Sequence, residues 1–264
     1  MKNILFMVVA FAMMTLVGCN EVVNEETSEN TSSDSLLAMP YNKIIHRFVL
    51  RKQDKSNSMN TYSGIRWFEE NNKQYLLWGT RNNVLQASWD GKTASVEKVY
   101  NFQAKKGVRA SIPNEMVVRK EMRKRVVYVV LNDNDEVVKF EIGSGKILWK
   151  KPSGLAPYGV VMANGKLYVS NWSGMVPQKT TTSTAGIPWE NATVDRFGTV
   201  ASGTVSVMNP ETGNIIKEIK TGLHPNDIIT NPRQSYVFVT NGNDDNISVI
   251  DTKTDQITET LSVR

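Results

Sequence analysis

The stretch Gly222 to Arg264, GLHPNDIITNPRQSYVFVTNGNDDNISVIDTKTDQITETLSVR, decides how this chain is read. It divides into four short segments, Asn226–Thr230, Tyr236–Asn241, Ile247–Asp251 and Ile257–Val263. Apolar and polar residues alternate along them, and polar turns join them. Alternation with a period of two is the pattern of a strand with two different faces. Four such strands in about 40 residues form the repeating unit of a β-propeller, a blade that buries its faces against neighbouring blades.

The unit recurs upstream. Leu167-Tyr-Val-Ser-Asn171 matches Val237-Phe-Val-Thr-Asn241, Gly203–Met208 matches Asn246–Ile250, and Ile215–Lys220 follows as an outer strand. Before it come Tyr128–Asn132, Glu136–Glu141 and Ile147–Lys150, and a fainter copy spans Tyr75–Phe102. Pro113, Pro157 and Pro225 stand at the starts of innermost strands, where no ladder hydrogen bond is asked of the nitrogen. The first two prolines are 44 residues apart and the next two 68, so about two dozen residues are inserted between Asn171 and Gly203. The insertion reads as a polar loop with two tryptophans, Trp172 and Trp189. Long loops on rigid scaffolds are frequent carriers of function.

Phe238-Val-Thr-Asn241, Ser248-Val-Ile-Asp-Thr252 and Gly222-Leu-His-Pro225 resemble the YVTN-repeat β-propeller family. That resemblance implies an all-β fold of four-stranded antiparallel blades in a ring of seven. Residues 41–264 have room for four to five blades, so an incomplete ring is expected, with Lys43–Leu50 as a lone strand ahead of the first full repeat. An open ring would leave two apolar faces uncovered and prone to association. Together with Tyr168-Val-Ser-Asn-Trp172 and Gly222-Leu-His-Pro-Asn-Asp227, the pattern resembles the front half of bacterial proteins that join such a propeller to an alkaline-phosphatase-type phosphoesterase domain. The nucleophile and metal ligands of that domain have no counterpart in this chain.

The amino terminus carries a separate signal. Lys2 precedes an apolar run, Ile4–Val17, that is too short to span a bilayer and suits a signal peptide. It ends in Leu16-Val-Gly-Cys19, which resembles a bacterial lipobox and implies lipid on Cys19, the chain's only cysteine. Residues 1–18 are thus expected to be a lipoprotein signal, 19–40 an acidic disordered tether, and 41–264 the propeller. The implied location is the bacterial cell envelope, with the membrane as a partner through Cys19.

Composition narrows the chemistry. The net charge is +5 with an acidic tether included, and the densest basic run, Arg119–Arg125, falls where a hairpin turn is expected. No nucleic-acid module is visible. His46 and His224 are the only histidines, and neither has carboxylates or cysteines at metal-ligand spacing. Asp133-Asn-Asp135 and Asn243-Asp-Asp245 lack the glycine and distal glutamate of a calcium loop and are expected to be turns. Gly143-Ser-Gly-Lys-Ile-Leu-Trp149 faintly resembles the repeat of quinone-cofactor propellers, but it occurs once. The expectation is a membrane-anchored binding or scaffold module with no catalytic residues, metal or cofactor; the alternatives are a phosphoesterase's propeller and a quinone-dependent oxidoreductase. A ligand is expected where strand-connecting loops converge, at Asn132, Asn171, Trp172, His224, Asn226 and Asn241, for an unknown protein or small molecule.

Overall fold

A computed structural model describes residues 64–175, 184–186 and 191–263. Cys19, the tether and the Lys43–Leu50 strand lie outside the described residues. Four four-stranded antiparallel sheets follow one another along the chain. The first holds β1 (Ile65–Glu70), β2 (Lys73–Gly79), β3 (Asn83–Trp89) and β4 (Ala94–Asn101). The second holds β5 (Pro113–Glu121), β6 (Lys124–Leu131), β7 (Glu136–Glu141) and β8 (Ile147–Pro152). In the third, β9 (Pro157–Ala163) and β10 (Lys166–Asn171) come before an inserted hairpin, β11 (Thr184–Gly186) and β12 (Asn191–Thr193); β13 (Thr204–Met208) and β14 (Ile215–Lys220) complete the sheet. The fourth holds β15 (Pro225–Thr230), β16 (Tyr236–Asn241), β17 (Asn246–Asp251) and β18 (Gln256–Ser262). The architecture is that of a β-propeller, and the described residues form an arc of four blades.

Alternation builds the interfaces. On β6, Val127 and Val129 join Phe68, Leu77, Val84 and Phe140 in a core between the first two blades. Their neighbours Val126, Tyr128 and Val130 point the other way, to Val160, Leu167 and Val169 of the third blade. On β10 the switch repeats: Tyr168 leaves that core and packs with Val237, Val239 and Ile250 of the fourth. Each buried aliphatic or aromatic side chain contributes roughly 1.5–3 kcal/mol, so a blade with two such faces is stable only between neighbours. The other face of the fourth blade has Ile229, Tyr236 and Leu261 exposed.

The strands β1, β5, β9 and β15 lie beside one another in succession, which makes them the inner strands. Three of them begin at the expected prolines, Pro113, Pro157 and Pro225. The backbone is tight where the chain passes between blades. A Cβ on Gly203, at the head of β13, would lie 2.0 Å from the Gly222 carbonyl oxygen. The basic run lies at the β5–β6 hairpin, narrower than the sequence suggested: both strands extend into it and leave only Met122 and Arg123 as the turn. Asn132–Asn134 is a single 3₁₀ turn, in line with the turn reading of that acidic triplet.

Candidate functional site

The same corner is built three times at the end of the arc where the inner strands start. Ile112, Ala156 and His224, each just before a strand-opening proline, have φ of 46°, 54° and 55°. The left-handed region costs a non-glycine residue of order 1–3 kcal/mol, so something must hold it. In each blade the carbonyl of this residue accepts an N–H from the residue after the second strand. Asn132, Trp172 and Gly242 donate to Ile112, Ala156 and His224, each at 3.0 Å.

This hydrogen bond sets the true register between repeats and corrects the sequence alignment. Asn132 does not end its strand as Asn171 and Asn241 do; it lies one residue further on, at the position of Trp172 and Gly242, and Leu131 occupies the asparagine position. The expected asparagines are largely tied into the blades. Asn171 Nδ2 donates to Thr204 Oγ1 at 3.0 Å and Ser206 Oγ at 2.8 Å. Asn241 Nδ2 donates to Asn246 Oδ1 at 2.7 Å and Ser248 Oγ at 2.9 Å. Asn132 Nδ2 reaches across to the Pro157 carbonyl of the next blade at 3.0 Å. These bonds fasten second strands to third strands and one blade to another.

Of the remaining three expected residues, Trp172 and His224 are brought together in a stack. Tyr158, Trp172 and His224 form a run of stacked rings, with centroids 4.4 Å apart for the first pair and 5.0 Å for the second. The stack bridges the third and fourth blades. Asn226, two residues beyond His224, lies against Gly242, where a Cβ would sit 2.8 Å from its Nδ2. Trp172 Nε1, His224 Nδ1 and Asn226 Oδ1 are buried without hydrogen-bond partners, as are the Oδ1 atoms of Asn171 and Asn241. A buried polar atom left unpaired costs about 1–3 kcal/mol, and several gathered at one corner call for an explanation. Burial holds the His224 imidazole below its ordinary pKa, so it is neutral at pH 7. Tyr158 escaped the sequence reading. Its signal was positional, since it follows an opening proline as Asn226 does.

Charged groups gather on the inner strands and on the loops of the first two blades. Glu115 on β5 pairs with Arg66 on β1. Burial pushes its carboxyl up, Arg66 opposes this, and the like charge of Asp227 on β15 adds to it. Asp133, in the 3₁₀ turn, is pushed up to about 6 by burial, with Arg109 and Arg81 opposing. Among the described residues, no cluster of three or more histidine, cysteine or acidic side chains could hold a metal ion. The insertion after Trp172 is not wholly a loop, because β11 pairs with β12 and Val194 bridges Val200.

No family model matches the chain, and no curated protein does. Solved structures do. Hydrazine synthase of Kuenenia stuttgartiensis superposes with a TM-score of 0.51 at 12% identity, over 72% of this chain and 46% of that one. A candidate 6-phosphogluconolactonase from Bacteroides fragilis gives a TM-score of 0.51 at 14% identity, over 76% of this chain and 55% of that one. The chain therefore spans about half the length of the structures it matches. At these identities the likeness carries the fold alone. It corrects one expectation: these fold relatives are named for enzymes, so the missing catalytic motif is no ground for reading the chain as non-catalytic.

Proposed function

We propose that this chain is a YVTN-type β-propeller binding module, held on the bacterial envelope by lipid on Cys19, with its ligand site at the Tyr158–Trp172–His224 stack. The observation that carries the site is the stack itself. Aromatic rings from two blades meet at the loop-bearing end of the arc, with buried, unpartnered polar atoms on Trp172, His224 and Asn226. Rigid aromatic surface with a few directed polar groups is the usual make-up of a ligand site. The long insertion begins in the sequence directly after Trp172, where loops on a rigid scaffold often carry function. The lipid anchor rests on the Leu16–Cys19 junction and the polar segment that follows it.

The test is a thermal-shift and tryptophan-fluorescence screen of the purified chain against a chemically diverse metabolite library, repeated with Trp172→Ala and His224→Ala. Ligands that shift the parent and lose their effect in both variants support the site. Ligands whose binding is untouched by either substitution place it elsewhere and refute this reading.

A further inference from the structure

The unpartnered atoms of the stack restrict the class of ligand, an inference that rests on the binding reading above. With Tyr158 and His224 stacked on it, the Trp172 indole presents its edge, and that edge carries the buried, unpartnered Nε1–H. A group meeting it must accept a hydrogen bond. Asn226 Oδ1 is also buried and unpartnered, and a group meeting it must donate. His224, held neutral by burial, has its Nδ1 unpartnered as well and offers either role according to tautomer. The hydroxyl is the neutral group that both donates and accepts.

Charge argues the same way. Among the described residues, no lysine or arginine pairs with Tyr158, Trp172, His224 or Asn226, while Asp227 adjoins Asn226 and is exposed. An anion would meet amide oxygens with no cation to offset its charge. A cation would meet the indole donor. We propose that the site takes a neutral carbohydrate, with hydroxyls on Trp172 Nε1 and Asn226 Oδ1 and an apolar C–H face against the stacked rings. Trp172, His224 and Asn226 are each half-buried, and on this proposal binding requires a rotamer change that turns their inward polar atoms outward.

The test is titration calorimetry on the full chain in detergent with maltotriose, cellotriose and N,N′-diacetylchitobiose, and with glucuronate and glucosamine as charged counterparts. At least one neutral sugar is expected to bind saturably. Trp172→Phe keeps the stack but removes the N–H and is expected to weaken that binding at least tenfold with an unchanged unfolding midpoint. Asn226→Ala serves as the second variant should Trp172→Phe fold poorly, with the same expected loss. Binding of only the charged sugars, still dependent on Trp172, overturns the neutral class while leaving the site in place. Sugar binding equal in parent and variants overturns the site. Absence of saturable binding by every sugar, with buried water left as the partner of these atoms, overturns the proposal while the wider library screen still tests the binding reading.

Discussion

Tyr168 on β10 donates its hydroxyl to Asp255 Oδ1 in the β17–β18 turn of the next blade, at 2.5 Å. Lys166 Nζ reaches the same carboxylate and also the Thr252 carbonyl, each at 2.7 Å. One blade earlier, the Pro210 carbonyl in the β13–β14 turn accepts from Lys139 Nζ at 3.3 Å and Trp149 Nε1 at 3.1 Å, with the Tyr128 hydroxyl at 3.4 Å. In the first pair of blades, the Tyr100 hydroxyl accepts from Gly143 N at 3.0 Å. Each of the first three blades thus grips the outer turn of the one after it. In the fourth blade Phe238 holds the position of Tyr128 and Tyr168 and has no hydroxyl to offer.

Tyr168→Phe removes the buried hydroxyl while Lys166 remains on Asp255. Burial and the carboxylate hold this phenol well above its usual range, so at neutral pH it acts as a donor. A hydrogen bond to a charged group contributes about 1.5–3 kcal/mol. Urea unfolding is expected to show a loss of about 2 kcal/mol with an unchanged m-value. A loss below about 0.5 kcal/mol would mean the clamp adds nothing to the packing around it.

Asp133 gives a pH signature. Its folded pKa of about 6 lies above the unfolded value of about 3.9, so the folded chain holds a proton in the window where the unfolded chain has lost it. The stability that this carboxyl contributes is present below about pH 4 and lost as the pH rises through 6. Asp133→Asn is therefore expected to be more stable than the parent at pH 7, by of order 2 kcal/mol. That gap should close near pH 4. Denaturant curves of both proteins at the two pH values check it, and a pH-independent difference would contradict it.

Gly203→Ala should be among the most damaging single-methyl additions. The new Cβ would meet the Gly222 carbonyl oxygen at 2.0 Å and Pro225 Cδ at 2.7 Å, at the passage between third and fourth blades. Overpacking of this kind costs 1–3 kcal/mol, and more when backbone must move. Gly91→Ala is the control, since its Cβ would have open space but its φ is +93°. Thermal unfolding is expected to place Gly203→Ala well below Gly91→Ala, and the reverse order would show that the passage can relax.

Lipid attachment is tested in cells. Clickable palmitate is expected to label the parent and not Cys19→Ala, and the variant should leave the membrane fraction. Equal labelling of the two would remove the anchor from the proposal.

The blades were legible because a strand's pattern is local. Alternation along Tyr236–Asn241 or Leu167–Asn171 states which residues face one way and which the other, and the prolines at 113, 157 and 225 marked where strands begin. Registration between repeats was less legible. Leu131 ends its strand where asparagine ends the second strands of the third and fourth blades, and only the hydrogen bond from Asn132 N to the Ile112 carbonyl shows that Asn132 is the counterpart of Trp172 and Gly242. Tyr158 carries no repeat signal of its own, and nothing local to Trp172 or His224 states which ring each one stacks on. These rings come from a strand start, a strand end and an inter-blade loop far apart in the chain. Local sequence therefore determined the strands, their two faces and the repeating unit. Tertiary structure alone decided which side chains meet at the blade junction, because that depends on how blades stack in space and on turns whose lengths differ from one repeat to the next.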